Sequence, residues 1–303
     1  MRTCRLPVSG WGWKWRSLKK SRHEALERSV SSSSATVSAL CRAAQLSRQG
    51  YYQKRTARQR AVGDEEAIIV AVRRERAQQP RLGVRRLHYR LSLAGIHVGR
   101  DTLFNLLRGR KMLVPRKRRK VRTTHFDQTL PVYRNRLYTF APSKPHEVWV
   151  ADITYIRVAE GFVFLCLLTD LFSRRIVGWH VGESLSASEA LKALHRACQD
   201  LPPGAAPIHH SDRGCQYCCH EYVAALNRHG LPISMTEQNH CYENCYAERV
   251  NGILKDEFNL DATFRSLAHA RQAIAQAIAT YNQIRPHTSL GMRSPNEVHR
   301  AAA

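Results

Sequence analysis

Three carboxylates carry the chemistry that the sequence suggests. Asp152 sits in the strand-like run from Trp149 to Ile156, Asp212 closes Ile208-His209-His210-Ser211-Asp212, and Glu248 lies in a helix-like run that continues to Leu254 and Lys255. An isolated Asp or Glu is usually a surface residue, so none of the three is informative alone. Three acids on separate elements can instead converge on a pair of divalent metals about 3.5–4 Å apart, an arrangement that cuts and joins phosphodiesters. Mg²⁺ is a hard ion that prefers oxygen ligands, so carboxylates rather than Cys or His form the expected cage. Asp152, on a rigid strand, is placed to bridge both ions, and Asp212 and Glu248 to hold one each. Lys255 lies seven residues beyond Glu248 and shares its helix face, where it can grip a phosphate. Asp170 also ends a strand-like run and reads as structural, capping the turn into Ser173-Arg174. Asp256 and Glu257 fall on other helix faces.

The elements that must position these acids are legible from periodicity. Val148–Ile156, Val163–Leu168 and Arg175–Val181 are β-rich, and short turns between them predict an antiparallel meander. A helix over Ala187–Cys198, a strand over Ala206–His209, a helix over Glu221–His229 and a strand over Pro232–Met235 follow. Residues 236–242 read as a polar loop. Asn244–Phe258 is a helix carrying Glu248, and Leu267, Ala270, Ile274, Ala277, Ile278 and Tyr281 mark a last amphipathic helix. This order predicts an α/β layout with a mixed sheet. Upstream, residues 36–55 read as two short helices, with a capping position at Leu46-Ser47. A helix over 64–79 presents Ile68, Ile69 and Val72 on one face and Arg73, Arg74 and Arg76 on the other, until Pro80 stops it. Two further helices carry Val84, Leu87 and Leu91, then Val98, Leu103, Leu106 and Leu107. Short Arg-studded helices with tight turns fit a helix-turn-helix module or an ordinary helical bundle. In the first reading the Arg100–Arg108 helix enters a DNA groove. Arg116, Lys117, Arg118, Arg119 and Lys120 form a basic arm suited to tracking phosphates. The expected domains are a basic segment of little order over 1–35, a helical DNA-binding region over 36–112, a basic linker over 113–145 and a catalytic core over 146–299.

Charge supplies the substrate class. Residues 1–150 hold 34 Lys and Arg against 9 Asp and Glu, whereas residues 151–303 hold 14 against 15. A polycationic first half beside a near-neutral second half implies a nucleic-acid partner. Hydrophobic content of 43% is that of a globular chain. The longest apolar run, Phe162–Leu168, is too short to span a bilayer, and the basic N-terminus lacks the apolar stretch of a secretory signal. The expected location is therefore cytoplasmic, with the nucleoid. The nine cysteines are then expected to be reduced. Cys215-x2-Cys218 and Cys241-x3-Cys245, near Cys219, His220 and His240, have spacings compatible with zinc. A tight second cage there would constrain the loops that Asp212 and Glu248 need, so the preferred reading is small, half-buried residues.

At these same residues the chain resembles the DDE transposases of bacterial insertion sequences, and among them the second reading frame of the insertion-sequence-three family. The strings that carry the resemblance are WVADITYI, LTDLFSRRIVGWHV, HHSDRGCQY, ENCYAERVNGILKDEF and YNQIRPHTSLGMRSPNEV, with LCRAAQLSRQGYY and LGVRRLHYRLSLAGI upstream. Asp212 and Glu248 have 35 residues between them, as in that family. The chain departs from the family pattern at Glu243-Asn244-Cys245, where Asp-Asn-Ala is usual, and at Cys215 and Cys218, where small hydroxylated residues are commoner. The resemblance implies an RNase H-like, retroviral-integrase-like core with Asp152, Asp212 and Glu248 as its catalytic triad and Lys255 as a DNA contact. It implies two Mg²⁺ ions, replaceable by Mn²⁺, that support cleavage at element ends and strand transfer by a 3′-hydroxyl. It further implies double-stranded DNA partners (terminal repeats and target), a homo-oligomer on DNA, and an upstream-frame DNA-binding partner or fusion. A structure-selective nuclease on the same fold and a DNA-binding regulator with an inactive core are the alternatives that the residues leave open.

Overall fold

The computed structural model describes residues 36–115, 133–237 and 244–302, apart from the side chains of 57–63. The readings of 1–35, of the basic run Arg116–Lys120 and of the loop beyond residue 237 lie outside the described residues. The chain divides into two compact units, residues 1–70 and 71–303.

In the first unit, helix α1 (Val37–Ala43) is capped by Thr36, whose side chain accepts from the Ala39 amide. Cys41 and Tyr51 form its small buried core. Ser47 caps the next helix by accepting from the Gly50 amide at 3.0 Å. That helix, α2 (Arg48–Gln78), runs for 31 residues without interruption. The sequence suggested separate helices over 36–55 and 64–79, but no proline intervenes and an internal glycine weakens a helix without ending it.

The second unit begins in the last turns of α2. Arg76, expected on the solvent face, turns inward instead. Its guanidinium donates to the Met112 carbonyl at 2.6 Å and the Leu82 carbonyl at 3.2 Å. Helices α3 (Val84–Leu93) and α4 (Arg100–Gly109) follow. They bury Leu87, Leu91, Leu103 and Leu107 and are joined through Gly95 in the left-handed region, φ 77°.

The sheet holds five strands in the order β3-β2-β1-β4-β5. Strands β1 (Val148–Val158), β2 (Gly161–Asp170) and β3 (Ile176–Gly182) form the antiparallel meander. Strands β4 (Ile208–Ser211) and β5 (Ile233–Met235) are parallel to β1 on its other side. Parallel neighbours need crossover connections. Helix α5 (Ala187–Gln199) makes the first, and α6 (Cys215–Cys218) with α7 (His220–Arg228) the second. Beyond β5 come α8 (Cys245–Glu257), α9 (Leu267–Gln283), a 3-10 turn (Thr288–Leu290) and α10 (Pro295–Ala301).

Side chains alternate across the sheet, so β1 feeds two cores. Trp149 and Ala151 pack with α5 and α7 residues such as Ala193, Tyr222 and Leu226. Ile156 and Val158 pack with Leu254, Ile274 and Ile278 of α8 and α9. Asp152 has the parity of Ile156 and thus faces the α8 layer. The buried Asp170 behaves as the sequence suggested: its Oδ1 accepts from the Ser173 amide at 2.8 Å and hydroxyl at 2.6 Å.

Helix α5 sits close on β3. A Cβ on Gly178 would lie 2.4 Å from the Ala193 carbonyl oxygen and 2.7 Å from the Ala197 methyl. Backbone on both sides leaves little room to relax, so Gly178→Ala should destabilise the fold by about 1–3 kcal/mol, read as a lower denaturation midpoint with an unchanged m-value.

Candidate active site

Backbone pairing sets the first two acids. In the parallel register of β1 and β4, Val148, Trp149 and Val150 stand opposite Ile208, His209 and His210. Two further residues along each chain bring Asp152 opposite Asp212, which has just left the end of β4. Buried polar contacts anchor β4. The Tyr222 hydroxyl lies 2.9 Å from His209 Nε2, and Ser234 Oγ lies 2.9 Å from His210 Nδ1. Ser234 Oγ also accepts from the Arg136 amide at 2.9 Å. Burial, then the neighbouring His210, depresses His209 to about 3, so its ring is neutral near pH 7. The Gly214 amide donates to Asp212 Oδ1 at 3.0 Å, fixing that carboxylate at the start of α6.

Helix α8 brings the third acid. Its N-cap residue Asn244 donates from Nδ2 to the Ala151 carbonyl at 3.1 Å, tying the helix start to β1. Two turns further, Asn251 Nδ2 donates to Asp152 Oδ2 at 2.8 Å. Asp152 Oδ1 accepts from the Ile153 amide at 2.9 Å. Glu248 is exposed in the first turn of α8. Glu248, Asn251 and Lys255 recur at three, four and seven residues, so one helix stripe carries all three.

The electrostatics of Asp152 reflect these neighbours. Burial raises its carboxyl, and the Asp212 charge and then the Glu248 charge push it further, to about 7. The hydrogen bonds from Asn251 and Ile153 oppose the rise. Like charges gathered in a half-buried place are what a cation relieves. Among the described residues no three His, Cys, Asp or Glu side chains already form a metal cage. The donor set nonetheless suits Mg²⁺. It offers three carboxylates, and the amide oxygens of Asn244 and Asn251 are buried without hydrogen-bond partners. All of these are hard oxygen donors.

Sequence reasoning missed Asn251 and Asn244. The only available signal was spacing, since Asn251 follows Glu248 by three residues on the presumed site face. Of the other candidates, Lys255 is half-buried. Arg100 pairs with Asp101 at 3.1 Å, both largely exposed. Arg108 donates to Asn105 Oδ1 at 3.0 Å and lies 5.7 Å over the Phe104 ring. These arginines thus line the outer face of α4. Cys218 is buried with its Sγ 3.7 Å from Met235 Sδ. Burial, then Asp212, pushes its thiol up to about 11, which disfavours the thiolate that zinc requires. Cys215 and Cys245 are exposed, and Cys241 lies outside the described residues.

Comparison with known proteins places these residues in context. A family model described as an integrase core domain matches residues 142–241, and a second of the same description matches 229–295. The chain is 36% identical over 261 residues to the insertion element IS600 uncharacterized 31 kDa protein of Shigella sonnei, covering 84% of this chain and 96% of that one. It is 32% identical over 270 residues to transposase InsF for insertion sequence IS3A of Escherichia coli K12, covering 86% and 93%. Among solved structures, the HTLV-2 integrase catalytic core domain in complex with magnesium aligns over 52% of this chain and 99% of that chain, at 20% identity and a TM-score of 0.43. A simian T-cell lymphotropic virus intasome in complex with the PP2A regulatory subunit B56 gamma aligns over 70% of each chain, at 19% identity and a TM-score of 0.45.

The raised Asp152 carboxyl has a measurable consequence. A carboxyl with a folded value near 7 and an unfolded value of about 3.9 binds more protons folded than unfolded between those limits. Its contribution is neutral below pH 4 and becomes destabilising as pH rises to 7. In metal-free buffer, Asp152→Asn should therefore melt higher than wild type at pH 8, with the difference closing toward pH 4. An equal difference at both pH values would show that the carboxyl is not perturbed.

Proposed function

We propose that in this chain, which belongs to the IS3 family of transposases, Asp152, Asp212 and Glu248 are the catalytic residues and hold the divalent metal at which DNA strands are cut and joined. The protein is a polynucleotidyl transferase with an RNase H-like core. The observation that supports the assignment is geometric: the β1–β4 register sets Asp152 opposite Asp212, and Asn251, on the helix that carries Glu248, donates to Asp152 Oδ2 at 2.8 Å.

Asp152, Asp212 and Glu248 would hold two Mg²⁺ ions, with Mn²⁺ able to substitute, which would supply charge stabilisation to the attacking and leaving oxygens of an in-line phosphoryl transfer. The residues of the chain supply the rest. Asp152 is held by β1 and oriented through Oδ2 by Asn251, so its carboxylate would meet a bound ion in one position. Asp212 is held by the Gly214 amide, and Glu248 stands in the exposed first turn of α8. Lys255, two turns along, is a cation for the phosphate of the bound strand. The nucleophiles are a water for cleavage and then the freed 3′-hydroxyl for joining.

DNA is held mainly by the basic first half. Residues 36–112 act as the DNA-binding region, with Arg100 and Arg108 on the α4 face that meets a groove. Arg116, Lys117, Arg118, Arg119 and Lys120 track phosphates toward the 146–299 catalytic core. Two element ends must be joined to one target, so the working form is a homo-oligomer on DNA. An upstream-frame partner or fusion adds DNA-binding helices. No described helix is long and apolar enough to cross a membrane, in keeping with action on the nucleoid in the cytoplasm.

Asp152→Asn should abolish Mg²⁺-dependent strand transfer on DNA ends taken from the flanks of the gene, while gel-shift affinity stays within about twofold. Strand transfer at the wild-type rate would refute the metal assignment. DNA affinity should fall steeply with salt, with log K dropping by about 0.9 per log unit of salt for each phosphate neutralised. A titration over 50–200 mM NaCl measures that slope, and a flat line would refute an electrostatic role for the first half.

A further inference from the structure

Helix α8 has a second working face. Tyr246, Arg249, Ile253 and Glu257 recur at three- and four-residue spacing, on the side opposite Glu248, Asn251 and Lys255. Tyr246 forms part of the wall of a cavity of about 630 Å³, whose lining includes Tyr138, Phe140, Phe172 and Arg174. Tyr138, Phe140 and Tyr246 are all substantially exposed.

Arg174 is held in place with care. Its backbone is left-handed, φ 65°, which is uncommon outside glycine. The turn is fixed by Asp170, whose carbonyl accepts from the Arg174 amide at 2.9 Å. The Tyr281 hydroxyl donates to the Arg174 carbonyl at 3.0 Å. The guanidinium lies 4.2 Å from the centre of the Tyr246 ring. Its Nη1 is buried and has no hydrogen-bond acceptor. An unusual backbone conformation fixed by its surroundings, presenting an unused donor, points to a ligand.

The surroundings are cationic. Arg86 and the buried Arg285 both donate to Glu257, at 2.7 Å and 2.8 Å. Burial and the charges of Arg285, Arg86, Arg174 and Arg249 together keep His287 neutral. Its Nε2 is buried without a partner. Glu257 bonds two of these four guanidiniums, those of Arg86 and Arg285.

We propose that the cavity beside Tyr246 holds one unpaired nucleotide of the DNA substrate, with its base against the aromatic walls and its phosphate on Arg174 near Arg249. This rests on the reading of the chain as a DNA transposase. The volume suits a nucleotide-sized ligand. Exposed aromatic rings accept the π-face of any base, and the guanidiniums match the backbone charge. Tyr246 lies two residues before Glu248 but on the opposite face of α8, so a nucleotide held there is a neighbour of the reacting one and anchors the strand from across the helix. Extruding a base costs a few kcal/mol, least where pairing is already broken, so the site favours DNA that is open near the cleavage point.

The test uses the full chain and two duplexes from the DNA flanking its gene, one fully paired and one with a single unpaired 5-iodouracil a few nucleotides from the cleavage point. Irradiation followed by mass spectrometry should place the adduct on Tyr138, Phe140 or Tyr246. By fluorescence anisotropy, Tyr246→Ala and Phe140→Ala should each weaken binding of the bulged duplex about tenfold, the scale of one lost base–aromatic stack. Binding of the paired duplex should not change. Both side chains are more than a third exposed, at 48% and 38%, so neither truncation threatens the fold. Unchanged affinity of both variants for the bulged duplex, or adducts only outside the cavity, would overturn the proposal. Failure of the wild-type chain to bind either duplex would instead overturn the transposase reading beneath it.

Discussion

The parallel pairing of β1 with β4 is the constraint on which the rest depends. Three residue pairs, from Val148↔Ile208 to Val150↔His210, set the register. Because a one-residue slip would turn every side chain to the other face, this register decides whether Asp152 and Asp212 can meet at all. The pairing is secured on both sides. Helices α5 and α7 bury Trp149 and Ala151, while the contacts of Tyr222 and Ser234 with His209 and His210 hold β4 from within. The meander on the far side of β1 gives that strand a rigid neighbour.

On this frame the site is electrostatically unfavourable by construction. Burial and two neighbouring charges hold the Asp152 carboxyl far above its ordinary range. A fold selected for stability alone would place an apolar residue there. The cost makes sense if a cation completes the site, since the repulsion that raises Asp152 becomes the attraction that holds the ion. Asn251 serves both states, because its amide orients Asp152 while its other end leaves an oxygen unused.

Helix α8 couples the site to the rest of its unit. One face carries Glu248 and Asn251. Its last residue, Glu257, joins Arg285 from beyond α9 and Arg86 from α3. Arg81 adds a pair with Asp261, just past α8. Helix α3 is therefore tied by ion pairs to the element that bears the third carboxylate. Several arginines of the basic first half are thus structural: Arg76 satisfies loop carbonyls, Arg90 pairs with Glu75, and Arg86 belongs to the Glu257 cluster. Net charge marked the right partner class, but it overstated how many of these cations are available to it.

The sequence by itself determined the order of the strands and helices of the catalytic core, and the charge of its first half pointed to nucleic acid. Alternation and helical period reflect which side chains must leave water, and the long apolar run of β2 reflects a strand covered on both faces. Asp170 was legible as structural from its place at a strand end. Local pattern could not reveal partners distant in sequence. Asn251 looks like any polar helix residue until β1, 99 positions away, is laid beneath it. Arg76 and Arg285 look like surface cations until a carbonyl or Glu257 meets them. The length of α2 and the short helix α10, with its Ser294–Glu297 capping box, were missed because weak local signals yield to tertiary packing. Which acids meet, which cations are spent inside the fold and which face of α8 looks toward Asp152 were decided only by the tertiary structure, because each depends on strand register and helix docking that no local periodicity encodes.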